Sequence, residues 1–184
     1  MRAAIIALML TIATQAGAEC GYFCDLRWWQ TTTKARVQVK LDTGADVMAR
    51  DEGGWTPLHF AAASGNPATI QPLLAAGVNV MARDKGGRTP LHFAAVSGHP
   101  PAIIQALLYA GTDVMVRDGD GWTPLHAAAS CTECADGVIE KLLSAGAKVK
   151  DKNKEGKTPW DLAQGNEYLK DTEGYWALND ARFN

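Results

Sequence analysis

The sequence predicts an all-α solenoid of stacked helix-turn-helix units with protruding hairpin loops and a cap at each end. The first observation is a string that returns. Thr56, Pro57, Leu58, His59, Phe60, Ala61, Ala62 comes back as Thr89, Pro90, Leu91, His92, Phe93, Ala94, Ala95 and as Thr123, Pro124, Leu125, His126, Ala127, Ala128, Ala129. A fourth, altered copy reads Thr158, Pro159, Trp160, Asp161, Leu162, Ala163. The second observation is the spacing: the starts lie 33, 34 and 35 residues apart, a period typical of units that bury their apolar faces only against one another. The third is that helix-start residues and glycine stops recur inside every period.

Each residue of the string has a local reason to be there. The Thr56 hydroxyl caps a helix, and Pro57 at the first helical position loses no hydrogen bond while pre-setting φ. Leu58, Ala61 and Ala62 then supply a small apolar face that a neighbouring helix can approach closely. Gly65, Gly98 and the pair Gly77/Gly111 stand where helices stop, since glycine tolerates the left-handed cap conformation. Helices are therefore predicted near 57–64 and 67–76, near 90–97 and 101–110, and near 124–131 and 135–145. Between repeats, Val78 to Arg83 and Val114 to Arg117 alternate in polarity, then Asp84 or Asp118 precedes Gly87 or Gly121, which are turn residues.

A period of this size carrying TPLHxAA resembles the ankyrin-repeat family. The resemblance implies two short helices and a protruding hairpin per unit, and a non-enzymatic role in binding another protein. The domain then spans 19–184, divided as an N-terminal cap (19–50), repeats at 51–83, 84–117 and 118–152, and a C-terminal cap (153–184). The N-terminal cap lacks TPLH, but its segment Thr43 to Arg50 stands 33 residues before the similar Ala76 to Arg83. In that register 24–30 and 34–41 take the helix positions, and Trp28 and Trp29 cover the open end of the stack. In the tail, Trp160, Leu162, Ala163, Tyr168, Leu169, Trp176, Leu178 and Phe183 are expected on one apolar face.

Met1 and Arg2 precede an apolar run from Ala3 to Ala13, and the small residues up to Ala18 complete the pattern of a secretory leader cleaved after Ala18. The expectation is a periplasmic or secreted product with no membrane insertion after leader removal. Losing Arg2 takes the formal charge from −2 to −3, and nucleic acid is not expected as a partner. A monomer is expected.

The cysteines form two close pairs, Cys20 with Cys24 and Cys131 with Cys134, and an oxidising compartment favours disulfides. Helices stacked about 8–10 Å apart put the two pairs roughly 20 Å or more from one another. A disulfide needs Cα atoms within about 7 Å, so local bridges Cys20–Cys24 and Cys131–Cys134 are expected. The second would close the longer connection between the helices of the third repeat.

Chemistry has little support in the sequence. His59, His92 and His126 occupy the same slot of different repeats, too far apart to share a metal whose ligands sit about 2 Å away. They are read as imidazoles that tie adjacent turns together. His99 is read as a loop decoration. The CxxC spacing of Cys131 and Cys134 suggests a thiol-disulfide redox role as the alternative, but it follows a helix and carries Glu133 between the thiols, which opposes a thiolate. An immunity protein against a toxin is a special case of the binding reading. No catalytic group, cofactor or metal is assigned.

In ankyrin proteins, loop tips and first helices line the partner groove. Carried onto this chain, the partner positions are Arg50, Glu52, Trp55 and Ser64; Arg83, Lys85, Arg88 and Ser97; and Arg117, Asp120, Trp122 and Ser130, with Lys152, Lys154 and Lys157 beyond. Arginine and tryptophan are enriched in interface hot spots. The competing expectation is that Arg50, Arg83 and Arg117 pair with Asp51, Asp84 and Asp118, and that the tryptophan rings lie flat on the hairpins.

Overall fold

A computed structural model describes residues 21–132 and 137–183. The leader predicted at 1–18, together with Cys20 and Cys134, lies outside these residues. Among them, ten α-helices follow one another in pairs. These are α1 (Leu26–Thr31) and α2 (Lys34–Asp42), α3 (Pro57–Ser64) and α4 (Ile70–Ala75), α5 (Pro90–Val96) and α6 (Pro101–Tyr109), α7 (Pro124–Ala129) and α8 (Val138–Ser144), and α9 (Pro159–Gln164) and α10 (Glu173–Ala181). The first helices contact one another in series and form one layer, and the second helices form the other in the same order.

The core runs through both layers without a break. Leu58, Leu91 and Leu125 are fully buried in one cluster with Ile70, Ile104, Leu107 and Leu142. Ala61, Ala62, Ala94 and Ala95 are buried between the first helices, where their small side chains let the backbones approach. The second helix of the first repeat differs from expectation: a 3-10 turn at Pro67–Thr69 precedes the α-helix. Pro72 has no N–H with which to close an α-turn onto Ala68, so the tighter turn comes first. The tail differs too, because Tyr168, Trp176 and Phe183 are exposed while Trp160, Ala163, Leu169 and Leu178 are buried. Gly174 and Leu178 set the inward side of α10: a Cβ on Gly174 would stand 2.9 Å from Ile139 of α8. Trp176 falls on the opposite side, and Phe183 lies past the helix end. In the N-terminal cap, Trp29 is fully buried and its indole N–H donates to the Phe23 carbonyl at 3.0 Å, whereas Trp28 is half-buried.

Successive repeats are tied through the histidines. His59 Nδ1 accepts the Thr56 N–H at 3.0 Å, which leaves the ring proton on Nε2, and Nε2 donates to the Arg88 carbonyl of the next repeat at 3.2 Å. His92 repeats this with Thr89 and Trp122 (3.1 and 3.1 Å), and His126 with Thr123 and Lys157 (3.1 and 3.2 Å). An imidazole does this because it is acceptor and donor at once. In the last unit Asp161 replaces it, accepting the Thr158 N–H at 2.8 Å and the Thr158 hydroxyl at 2.7 Å.

His99, expected to decorate its loop, is half-buried, and its Nε2 bonds the Ala63 carbonyl of the preceding repeat at 3.0 Å. Asn66 does the same one repeat earlier, donating to the Thr32 carbonyl at 2.8 Å.

Burial holds the three capping histidines neutral. The pKa of His59 is lowered from 6.5 to about 4, and those of His92 and His126 are lowered by the same cause. Between these pH values the unfolded chain binds more protons than the folded one, so stability falls as pH falls. The His59 contribution is complete above pH 6.5 and is lost toward pH 4 at up to about 1.4 kcal/mol per pH unit. Urea titrations from pH 7.5 to pH 4 should show this loss, and replacing His59, His92 and His126 together by Gln should flatten it. Leu91→Ala, at a fully buried site between two repeats, should cost about 2–5 kcal/mol in the same assay.

Candidate functional site

The loop tips are stiff before any partner arrives. Asp51, Asp84 and Asp118 each accept the N–H four residues on, from Trp55 (2.7 Å), Arg88 (2.8 Å) and Trp122 (2.8 Å). Asn153 does the same for Lys157 at 2.9 Å. Neighbouring tips then bond through backbone: Lys85 N–H to Gly53 O at 2.9 Å, Gly119 N–H to Gly86 O at 2.7 Å, and Lys154 N–H to Asp120 O at 3.0 Å. Gly87 is required where the tips meet, since its φ is +79° and a Cβ there would lie 2.8 Å from the Gly119 nitrogen.

The arginines expected at the partner face bond backbone carbonyls rather than the aspartates directly beside them. Arg50 Nη1 donates to Gly54 O at 2.9 Å and to Arg83 O at 2.7 Å. Arg83 donates to Gly87 O at 2.8 Å and Arg117 O at 2.7 Å, and Arg117 to Gly121 O at 3.0 Å and Lys152 O at 2.7 Å. Arg117 also pairs with Asp151 at 2.8 Å. Each fork therefore staples one hairpin to the next. The aspartates beside them are occupied by backbone N–H groups.

The remaining predicted positions divide. Ser64 is buried with its hydroxyl on the Ala61 carbonyl at 2.8 Å, so it presents no surface. Ser97 and Ser130 are half-buried, bonded to Phe93 O (2.6 Å) and Ala127 O (2.9 Å). Glu52, Lys85 and Asp120 are exposed on the tips, as are Lys152, Lys154 and Lys157. Arg88 pairs with the buried Asp84 at 2.7 Å and lies over the Phe93 ring at 4.6 Å.

The two tryptophans are not equivalent. Trp55, Arg88, Trp122 and Lys157 hold one register, each just before a capping threonine. The Trp55 ring is clamped between Phe60 at 5.0 Å and Phe93 at 4.1 Å, so it carries a packing duty that turn composition did not suggest. At Trp122 the same two slots hold Ala127 and Leu162, and its one aromatic neighbour among the described residues is His126 at 6.1 Å. One repeat on, a cleft of about 440 Å³ is lined by Lys157, which holds the register position of Trp122, together with Ser130, Thr132, Asp161, Leu162 and Tyr168, among others. The residue after each capping histidine, and after Asp161 in the last unit, carries the signal for this: Phe60, Phe93, Ala127, Leu162. Its contrast goes unnoticed when the repeats are read only for what they share.

Cys24 and Cys131 are disulfide-bonded; their expected partners Cys20 and Cys134 lie outside the described residues. Asn166 Nδ2 donates to the Cys131 carbonyl at 2.7 Å and the Ala129 carbonyl at 3.1 Å, which fastens the end of α7 to the C-terminal cap.

The family description Ankyrin repeats (3 copies) matches residues 33–118 and 98–172. The chain belongs to the ankyrin-repeat family. Its stacked repeats form a protein-protein interaction module. Among curated proteins it is similar to Protein phosphatase 1 regulatory subunit 27 of Homo sapiens, 52% identical over 31 residues. That match covers 17% of this chain and 20% of the human protein, so the chain matches about a fifth of that relative's length.

Trp55→Ala should lower stability by about 3–5 kcal/mol, in the range of a packed aromatic, and Trp122→Ala by distinctly less. Guanidinium melts of the two variants side by side check this.

Proposed function

We propose that this ankyrin-repeat protein is an exported, non-enzymatic module of the bacterial cell envelope, holding a protein partner through its loop tips and first-helix face. Trp122 is the central contact. The observation that carries the reading is the half-exposed indole of Trp122, left without the aromatic clamp that holds Trp55. A large, rigid, partly exposed aromatic side chain is the kind enriched among interface hot spots. Glu52, Lys85, Asp120 and Lys154 on stiffened tips supply the polar rim. Inhibition, protection or assembly of that partner are all served by such a grip, and immunity against a toxin is one form of inhibition.

Export is supported by the leader pattern ending at Ala18 and by the oxidised state of Cys24 and Cys131. The local pairs Cys20–Cys24 and Cys131–Cys134 are part of this proposal. Thiol-disulfide exchange has less support, because Cys131 is 2% exposed and a catalytic thiol has to be reached.

The experiment is affinity capture from an envelope extract, followed by titration of the recovered partner. Trp122→Ala is expected to weaken binding about 30-fold, a loss of about 2 kcal/mol. Wild-type affinity in a folded Trp122→Ala, Lys157→Ala double variant would overturn the assignment of this face.

A further inference from the structure

The two ends of the stack carry opposite charge in two separate zones. At the start, α2 presents exposed Lys34 and Arg36 and ends in exposed Asp42, and the loop that follows presents exposed Asp46 and Glu52 with Arg50 between them. At the finish the signs are reversed. The last hairpin presents exposed Lys148, Lys150, Lys152 and Lys154, and the outer stripe of α10 presents Glu173 and Asp180.

Apolar shape follows the same division. On the N-terminal cap a cleft of about 230 Å³ is lined by Trp28, Ala35, Arg36, Val39 and Lys40, and Val39 is 59% exposed. On the C-terminal cap, Trp176 projects from the same stripe as Glu173 at 51% exposure, and just past the helix end Phe183, 78% exposed, carries the Arg182 guanidinium over its ring at 4.9 Å. Residues 173, 176 and 180 are three or four apart and so share one helix face, opposite Gly174 and Leu178, which pack on α8.

We infer that the protein associates head to tail with a second copy of itself, the C-terminal cap of one chain seating on the N-terminal cap of the next. Helices continue each layer from unit to unit, so a copy added along the stack meets helices with helices and loops with loops. The acidic, aromatic stripe of α10 then faces the basic cleft of α2, and the lysine-bearing hairpin faces the acidic segment at 42–52. Trp176 enters the cleft between Trp28 and Val39, with Arg36 opposite Glu173. The contact joins two different surfaces, so it leaves a free head and a free tail and does not close on a dimer. It replaces the monomer expected from the sequence and uses neither Trp122 nor the cleft lined by Lys157.

Sedimentation velocity of the protein over a concentration series should show average mass rising above one chain. Raising the ionic strength from about 0.05 M to about 0.5 M should push it back, because the Debye length shortens from above 10 Å to below 5 Å. Arg36→Glu and Trp176→Ser, both at exposed sites, should each abolish the rise while circular dichroism stays unchanged. Mixing the two variants should restore association up to a mass of two chains, since one keeps an intact tail and the other an intact head. A single-chain mass at every concentration, association insensitive to both substitutions, or a mixture that stays at one chain would each overturn the proposal.

Discussion

Every junction between TPLH repeats depends on one imidazole used at both edges. Its Nδ1 closes the start of its own helix and its Nε2 holds the carbonyl that leads into the next, so the cap of one unit is also the link to its neighbour. Such a ring has to be neutral and buried, and the close apolar packing of the first helices keeps it so. Cap, link and core are therefore one cooperative feature. This is the local form of the nearest-neighbour coupling that governs repeat arrays.

A second line of bonds runs parallel to the first, nearer the loop tips. Arg50, Arg83 and Arg117 bring guanidinium groups to carbonyls of the same hairpin and the following one, which sets the pitch at which tips stand apart. A row of exposed side chains acts as one binding surface only if its spacing is fixed in advance, because ordering loops on binding costs affinity. The arginines thus fix the spacing of the row that Trp122 and the tip residues occupy.

The fold was legible because stacking demands identity: each unit solves the same packing problem, so Thr, Pro, Leu, His and the small alanines recur, and recurrence is what a reader of sequence can see. The site was legible only in outline for the opposite reason. Trp55 and Trp122 look alike in their own repeats, and what separates them is the size of side chains five residues on and one repeat later. The arginines looked like surface charge because a bond to a backbone carbonyl leaves no mark on the partner's residue type. Trp176 was misplaced because α10 turns its glycine inward, and a glycine adds nothing to an apolar pattern, whereas Phe183 lies past the end of the helix that the pattern assumed.

Asp161 gives the array a direction. A carboxylate accepts from Thr158 N–H and hydroxyl and keeps no proton to donate onward, so this unit lacks the onward bond that the histidines make. Duplication of a unit ahead of that residue reproduces a working junction each time. A unit placed behind it would find no donor at this position.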